Sequence, residues 1–237
     1  MCRECGCGDA DLVPVPVLER ILAENERNAR HNRAHFEKAG VFAINLMGSP
    51  GSGKTALLEA VSREARGRLR LGAVSGDLAT DNDARRLKAA GIPAASITTG
   101  QSCHLDARLV HEALHDFPID RLDVFAIENV GNLVCPAVYD LGEAARVVAL
   151  SVTEGEDKPL KYPVIFQRAN LVLLTKCDLI PVLGVDLDAI ADGLAHVMPD
   201  PRMIRISART GEGIGAFISW LLANRSQLAA TALATSA

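Results

Sequence analysis

An excess of positive charge, an apolar run of membrane length and an internal repeat are all missing from this 237-residue chain. Each absence removes a class of function. Lys and Arg number 25 against 29 Asp and Glu, for a net charge of −4. No global positive field therefore draws the chain to nucleic acid or anionic lipid, and neither is expected as a partner. The longest apolar runs, such as Val147–Leu150 and Leu171–Leu174, fall far short of a membrane span. The N-terminus has no basic region followed by an apolar stretch of signal-peptide type, so the reading is a soluble chain in the reducing cytoplasm. Hydrophobic residues at 49% and charged residues at 23% are ordinary for a globular protein and argue against disorder throughout.

In a reducing compartment the six cysteines are thiols. Cys2, Cys5 and Cys7 crowd the first seven residues, whereas Cys103, Cys135 and Cys177 are scattered. Three thiolates so close together can wrap one soft or borderline ion, and spacing alone does not separate nickel from zinc. Residues 1–16 read as a cysteine-rich metal-binding arm and linker, with Pro14 and Pro16 favouring an extended link. Residues 17–40 read as an N-terminal helix, 41–225 as the main domain and 226–237 as a disordered or frayed tail. Within 41–225, strand-like runs such as 41–47, 69–75, 122–127 and 171–175 alternate with helical patterns such as 53–66, 105–117 and 186–197. Strands that are apolar without alternation predict an α/β fold with a mostly parallel sheet and helices on both faces.

The segment Gly48-Ser49-Pro50-Gly51-Ser52-Gly53-Lys54-Thr55 matches the phosphate-loop pattern G-x-x-x-x-G-K-[ST], between a predicted strand and a predicted helix. This is the P-loop NTPase arrangement. Its glycines let backbone N–H groups converge on phosphate oxygens, Lys54 neutralises the terminal phosphates, and Thr55 offers a hydroxyl to Mg²⁺. A further acid for Mg²⁺ is expected from Glu128, which ends an apolar strand ahead of Asn129-Val130-Gly131, or from Asp77 after another strand. Thr175-Lys176-Cys177-Asp178 is similar to the guanine-reading element Asn-Lys-x-Asp. A carboxylate at Asp178 accepts from both the ring N–H and the exocyclic amine of guanine, a donor pair that adenine lacks. Ser207-Ala208-Arg209 resembles the last GTPase element, whose backbone contacts the base. Asn132 stands where fast enzymes use a longer amide to orient water, so hydrolysis is expected to be slow. His111 and His115, and separately His31 and His35, read as solvated stripes on two helices.

Three segments go beyond a generic GTPase: Cys2-Arg-Glu-Cys-Gly-Cys7, Glu128-Asn-Val-Gly-Asn-Leu-Val-Cys-Pro136 and Thr153-Glu-Gly-Glu-Asp-Lys-Pro-Leu-Lys-Tyr-Pro163. Through them the chain resembles the HypB family of hydrogenase nickel-incorporation GTPases, from Cys2 to about Leu222. The resemblance implies a homodimerising GTPase that delivers Ni²⁺ to the large-subunit precursor of a [NiFe]-hydrogenase, with a HypA-type metallochaperone as partner. It implies metal, Ni²⁺ or Zn²⁺, at Cys2, Cys5 and Cys7, and at Cys103, His104 and Cys135 in the GTPase domain. It also implies that Lys158 or Lys161 approaches a partner's nucleotide. Some members carry a long histidine tract after the N-terminal cysteines; this sequence has none, which favours delivery over storage. Two alternatives are a urease-type nickel accessory GTPase and a nickel or zinc buffer with a regulatory nucleotide site. Against the first, Cys135-Pro136 is followed by Ala137 rather than the His expected in a urease-type motif.

Overall fold

Residues 15–77, 80–100 and 104–235 are described by the computed structural model. The arm carrying Cys2, Cys5 and Cys7, and Cys103 of the second ligand set, lie outside the described residues. Helix α1 spans Val15–Ala39, followed by β1 (Phe42–Gly48), α2 (Lys54–Ala65), β2 (Leu71–Asp77), α3 (Asn82–Ala89), β3 (Ala94–Thr98), α4 (Ala107–Leu114) and β4 (Val124–Glu128). The second half runs β5 (Ala145–Ser151), α5 (Lys158–Lys161), α6 (Pro163–Gln167), β6 (Leu171–Thr175), α7 (Ile180–Leu183), α8 (Leu187–Val197), β7 (Met203–Arg205) and α9 (Ile214–Thr235).

The strands form one sheet in the order β3-β2-β4-β1-β5-β6-β7, and every pairing is parallel. Parallel neighbours need crossovers, and the helices that make them cover both faces, which is why the central strands are mostly apolar without alternation. Along β1, Phe42, Ile44 and Leu46 enter the core beneath α2 and α9. Ala43 and Met47 point to the opposite face, where two further apolar clusters lie. Helix α1 packs on that second face, with Phe36 5.5 Å from Phe125 between ring centres.

Two helix ends depart from the sequence reading. Helix α1 begins at Val15, so Pro16 belongs to its first turn, where a missing N–H costs no helical hydrogen bond. Helix α9 continues through residues read as tail, to Thr235. Arg225 Nη2 reaches Asp123 Oδ1 at 2.9 Å, which ties the helix to the start of β4 just before the expected boundary, and Ser226 Oγ donates to Leu222 O at 3.0 Å across it. The short helices α5, α6 and α7 had no period long enough to be read from sequence.

Because all strands run the same way, the chain leaves β1, β2, β4, β6 and β7 at one edge of the sheet. That edge, beside the central strand where connections diverge, is where open parallel sheets bind ligands. The phosphate loop, Asp77, Glu128, Thr175 and Ser207 all lie there.

Candidate functional site

The phosphate loop turns from β1 into the N-terminus of α2. Lys54, 7% exposed, folds back over the loop and donates from Nζ to the carbonyls of Gly48 and Ser49, each at 3.1 Å. Burial lowers its pKa, against the pull of Glu128, Asp83 and Glu154. A cavity of about 490 Å³ opens in front of the loop, lined by Lys54, Thr55, Asp77, Asp83, Glu128 and Gly131 among others. Thr55 Oγ1 donates to Glu128 Oε1 at 2.6 Å and lies 2.9 Å from Asp83 Oδ1. One hydroxyl hydrogen thus faces two carboxyl groups. Burial pushes the Glu128 carboxyl up to about 6, with the Asp83 charge adding to the rise.

Asp83, on the first turn of α3, was not singled out in the sequence. Asp77, which was, lines the same cavity but accepts the backbone N–H of Thr80 on Oδ1 at 3.1 Å, fastening the loop after β2. Among the described residues, Glu128 Oε2 and Ser52 Oγ are buried with no hydrogen-bond partner. Such groups are costly to bury unless a ligand satisfies them. Thr55, Asp83 and Glu128 supply the hard oxygen donors that suit Mg²⁺, and the loop with Lys54 suits phosphate.

A second cavity, of about 450 Å³, shares Gly53 and Ala56 with the first and is lined by Thr175, Lys176, Asp178, Ala208 and Arg209. Ser207 Oγ donates to Asp178 Oδ1 at 2.7 Å, and Arg209 Nη1 lies 3.6 Å from Asp178 Oδ2. The Ser207 bond, ahead of the Arg209 charge, holds Asp178 below its ordinary pKa. Thr175 Oγ1 donates to Ser52 O at 2.6 Å, tying the base-side loop to the phosphate loop. The hydroxyl thus supplies a tie between the two loops at the position where Asn is usual. Cys177 is buried, with Sγ donating to Leu174 O at 2.9 Å and its pKa raised by burial. It is a packed thiol.

Beyond β4, Gly131 presses on the phosphate loop: a Cβ there would meet Pro50 N and Cγ at 2.9 Å. Asn132 bridges back to Gly48, and its side chain accepts the N–H of Val134 at 2.9 Å. Cys135 follows at the start of a 3₁₀ turn, Cys135–Ala137, flanked by exposed Val134 and Val138. His104 stacks on Tyr139 at 4.0 Å between ring centres, and burial lowers its pKa. Asn129, next to Glu128, accepts the N–H of Leu105 on Oδ1 at 3.3 Å and donates to Asn45 Oδ1 at 3.1 Å. The residue after His104 is therefore hydrogen-bonded to the residue after Glu128. Lys158 lies 3.4 Å from Glu154, which also accepts from Ser49 of the phosphate loop, whereas Lys161 pairs with Asp157 on the surface at 2.6 Å.

Residues 42–205 match the family model described as the CobW/HypB/UreG nucleotide-binding domain. The chain is 50% identical over 205 residues to the hydrogenase maturation factor HypB of Azotobacter vinelandii, covering 86% of this chain and 68% of that one. It belongs to the HypB family. Among solved structures, HypB from Helicobacter pylori in complex with nickel superposes with a TM-score of 0.82 at 36% identity, covering 86% of this chain and 96% of that one. HypB from Archaeoglobus fulgidus does so with a TM-score of 0.79 at 38% identity, covering 86% of this chain and all (100%) of that one. The P-loop NTPase fold and the family read from the sequence stand.

Proposed function

We propose that this HypB chain binds Mg²⁺ and GTP along the sheet edge and uses the phosphate state to control a nickel site reached through Asn129, Gly131 and Cys135. It is a GTP-hydrolysing nickel metallochaperone of HypB type that acts in [NiFe]-hydrogenase maturation; its Azotobacter relative is named a hydrogenase maturation factor. The single observation that carries the mechanism is the continuity of the β4 end. Glu128 touches Thr55, Asn129 holds Leu105 beside His104, and Gly131 touches Pro50. A change in phosphate occupancy is thereby felt within a few residues of both His104 and Cys135.

In this reading Gly48, Ser49, Pro50, Gly51, Ser52 and Gly53 cradle the phosphates through backbone N–H groups. Lys54 leaves the loop carbonyls for the terminal phosphate, where its charge offsets the charge that develops as the phosphoryl group leaves. Thr55, Asp83 and Glu128 hold Mg²⁺, with Asp77 fixing the loop nearby. The bound Mg²⁺ supplies positive charge against the phosphate oxygens. Thr175 locks the base loop, Lys176 lays its stem along the base, Asp178 reads guanine, and Ser207, Ala208 and Arg209 close the pocket. Asn132, committed to the Val134 N–H, is a poor orienter of water. Slow turnover follows.

Nickel is the cargo. Cys2, Cys5 and Cys7 form one ligand set in the arm, and Cys103, His104 and Cys135 form another; their thiolates and imidazole also suit Zn²⁺. Three ligands leave a site open for a two-fold mate, and Val134 and Val138 provide apolar surface that a GTP-dependent homodimer would cover. Lys158, close to Glu154 and the phosphate loop, is the better placed of the two lysines to serve a nucleotide. A HypA-type metallochaperone and the hydrogenase large-subunit precursor are the partners of the transfer. No helix among the described residues is long and apolar enough to cross a membrane, in keeping with a cytoplasmic setting.

Hydrolysis of GTP, ATP and XTP by the full chain and two variants tests this reading. Lys54→Ala should abolish turnover of every nucleotide, and Asp178→Asn should move preference from GTP toward XTP. GTP preference unchanged in Asp178→Asn would remove the base-reading assignment.

A further inference from the structure

Four histidines that the sequence divides between two helices meet on one surface of the fold. His31 and His35 stand i, i+4 on α1, and His111 on α4 is followed at i+4 by His115, the helical C-cap residue of α4, so each pair shares one face. The two helices are locked together by α1 amides: Asn25 Oδ1 accepts the Ala107 N–H at 2.8 Å, and Asn32 Nδ2 donates to Ala107 O at 2.8 Å. His111 sits at the centre, 5.3 Å from His115, 5.5 Å from His35 and 6.3 Å from His31 between ring centres.

The orientation of His111 is set from below. Asn32 is fully buried, and its amide nitrogen is committed to the carbonyls of Ala107 and Leu141, the latter at 3.0 Å. Its Oδ1 must therefore be the atom facing His111 Nδ1 at 3.1 Å, and an acceptor there requires Nδ1 to carry the hydrogen. In the neutral ring this leaves the lone pair on Nε2. A ligand imidazole whose other nitrogen donates to a fixed oxygen is the usual supporting arrangement of a metal-bound histidine. Burial, followed by the three neighbouring imidazoles, lowers the His111 pKa and favours that neutral form.

We propose that His31, His35, His111 and His115 form a surface site for a borderline divalent transition cation such as Ni²⁺ or Zn²⁺, separate from both cysteine-containing ligand sets. With metal–nitrogen bonds near 2.0–2.1 Å, two imidazoles on one tetrahedral ion have ring centres ~5 Å apart and two trans imidazoles ~6 Å. The separations around His111 already fall in that range. Among the described residues no three candidate ligands yet converge on one point. His31, His35 and His115 are exposed, so side-chain rotation toward His111 costs little packing, whereas His111 stays anchored on Asn32. Each ring binds through a neutral nitrogen lone pair, and any proton held there passes to solvent. Four neutral ligands and no thiolate make this a weaker and faster-exchanging site than a thiolate cluster, suited to holding an ion in transit.

The experiment titrates the full reduced chain, free of nucleotide, with Ni²⁺ alone and with Zn²⁺ alone, and compares His35→Gln/His115→Gln. Equilibrium dialysis counts metal, absorbance follows thiolate-to-nickel charge transfer, and ¹⁵N correlation spectra follow the imidazoles under Zn²⁺. The expected result is one equivalent that binds without added thiolate absorbance, moves the His111 ring signals, and weakens at least tenfold in the double variant. GTP turnover and the thiolate bands should be unchanged, which shows that the variant folds and separates this site from the cysteine-based reading. Identical titrations of wild type and variant, or His111 signals unmoved by Zn²⁺, would overturn the proposal.

Discussion

Replacing Glu128 by Gln should stabilise the nucleotide-free, metal-free protein while disabling it. The carboxyl is 2% exposed, and its pKa is raised from 4.5 to about 6, chiefly by burial. Between those two values the folded protein holds a proton that the unfolded chain has released, so stability falls as pH rises through the window. The whole penalty is about 2 kcal/mol once both states are ionised, and about 1 kcal/mol of it develops between pH 5 and 7.5. Glutamine keeps an acceptor for the Thr55 hydroxyl and carries no titrating group. Urea unfolding in a chelator at both pH values is the assay. The variant should gain about 1 kcal/mol on wild type from pH 5 to 7.5, and its Mg²⁺-dependent GTP hydrolysis should fall at least a hundredfold, as expected when a group that stabilises the transition state is lost. A stability difference that does not change with pH would refute the reasoning, because neither packing nor an uncharged hydrogen bond varies over this range.

Asp83→Asn should raise the Mg²⁺ concentration needed for half-maximal hydrolysis while leaving guanine preference intact, a split that steady-state kinetics resolves. Thr175→Val deletes the hydroxyl bonded to Ser52 O, so GDP should bind more weakly by about 1–2 kcal/mol, or roughly 5–30-fold, with Thr175→Ser close to wild type by calorimetry. Gly131→Ala forces a methyl within 2.9 Å of Pro50, so it should impair nucleotide binding through the phosphate loop without touching a ligand directly, as fluorescent-nucleotide titration would detect.

The phosphate loop was legible because its whole chemistry is contiguous: strand, glycines, Lys54 and Thr55 succeed one another, and the sheet simply brings Glu128 alongside. Relations across the fold were not. Thr175 looked like a departure from the guanine-reading pattern because the carbonyl it binds, on Ser52, is 123 residues away. Asp83 resembled an ordinary acid in the first turn of a helix, and only the fold sets it beside Thr55. Each histidine pair looked solvated when each helix was read alone; packing α1 on α4 creates the patch. The last turns of α9 lack a continuous apolar face, and their helicity follows alanine-rich propensity rather than a pattern that periodicity can detect. Cys2, Cys5 and Cys7, whose metal binding was an expectation from their crowding, lie outside the described residues.

Nickel affinity as a function of nucleotide state tests the central claim most directly. The chain lacking residues 1–8, which removes Cys2, Cys5 and Cys7, is titrated with Ni²⁺ in the presence of GDP or a non-hydrolysable GTP analogue while its mass in solution is followed; histidine-bound metal is distinguished by the absence of thiolate absorbance. If Glu128, Gly131 and Cys135 form one coupled unit, the analogue should produce a dimer and tighten the thiolate-absorbing site, and Ni²⁺ should tighten analogue-dependent assembly by the same factor. Cys135→Ala should erase the difference. Equal nickel affinity with both nucleotides and a monomer throughout would contradict the account.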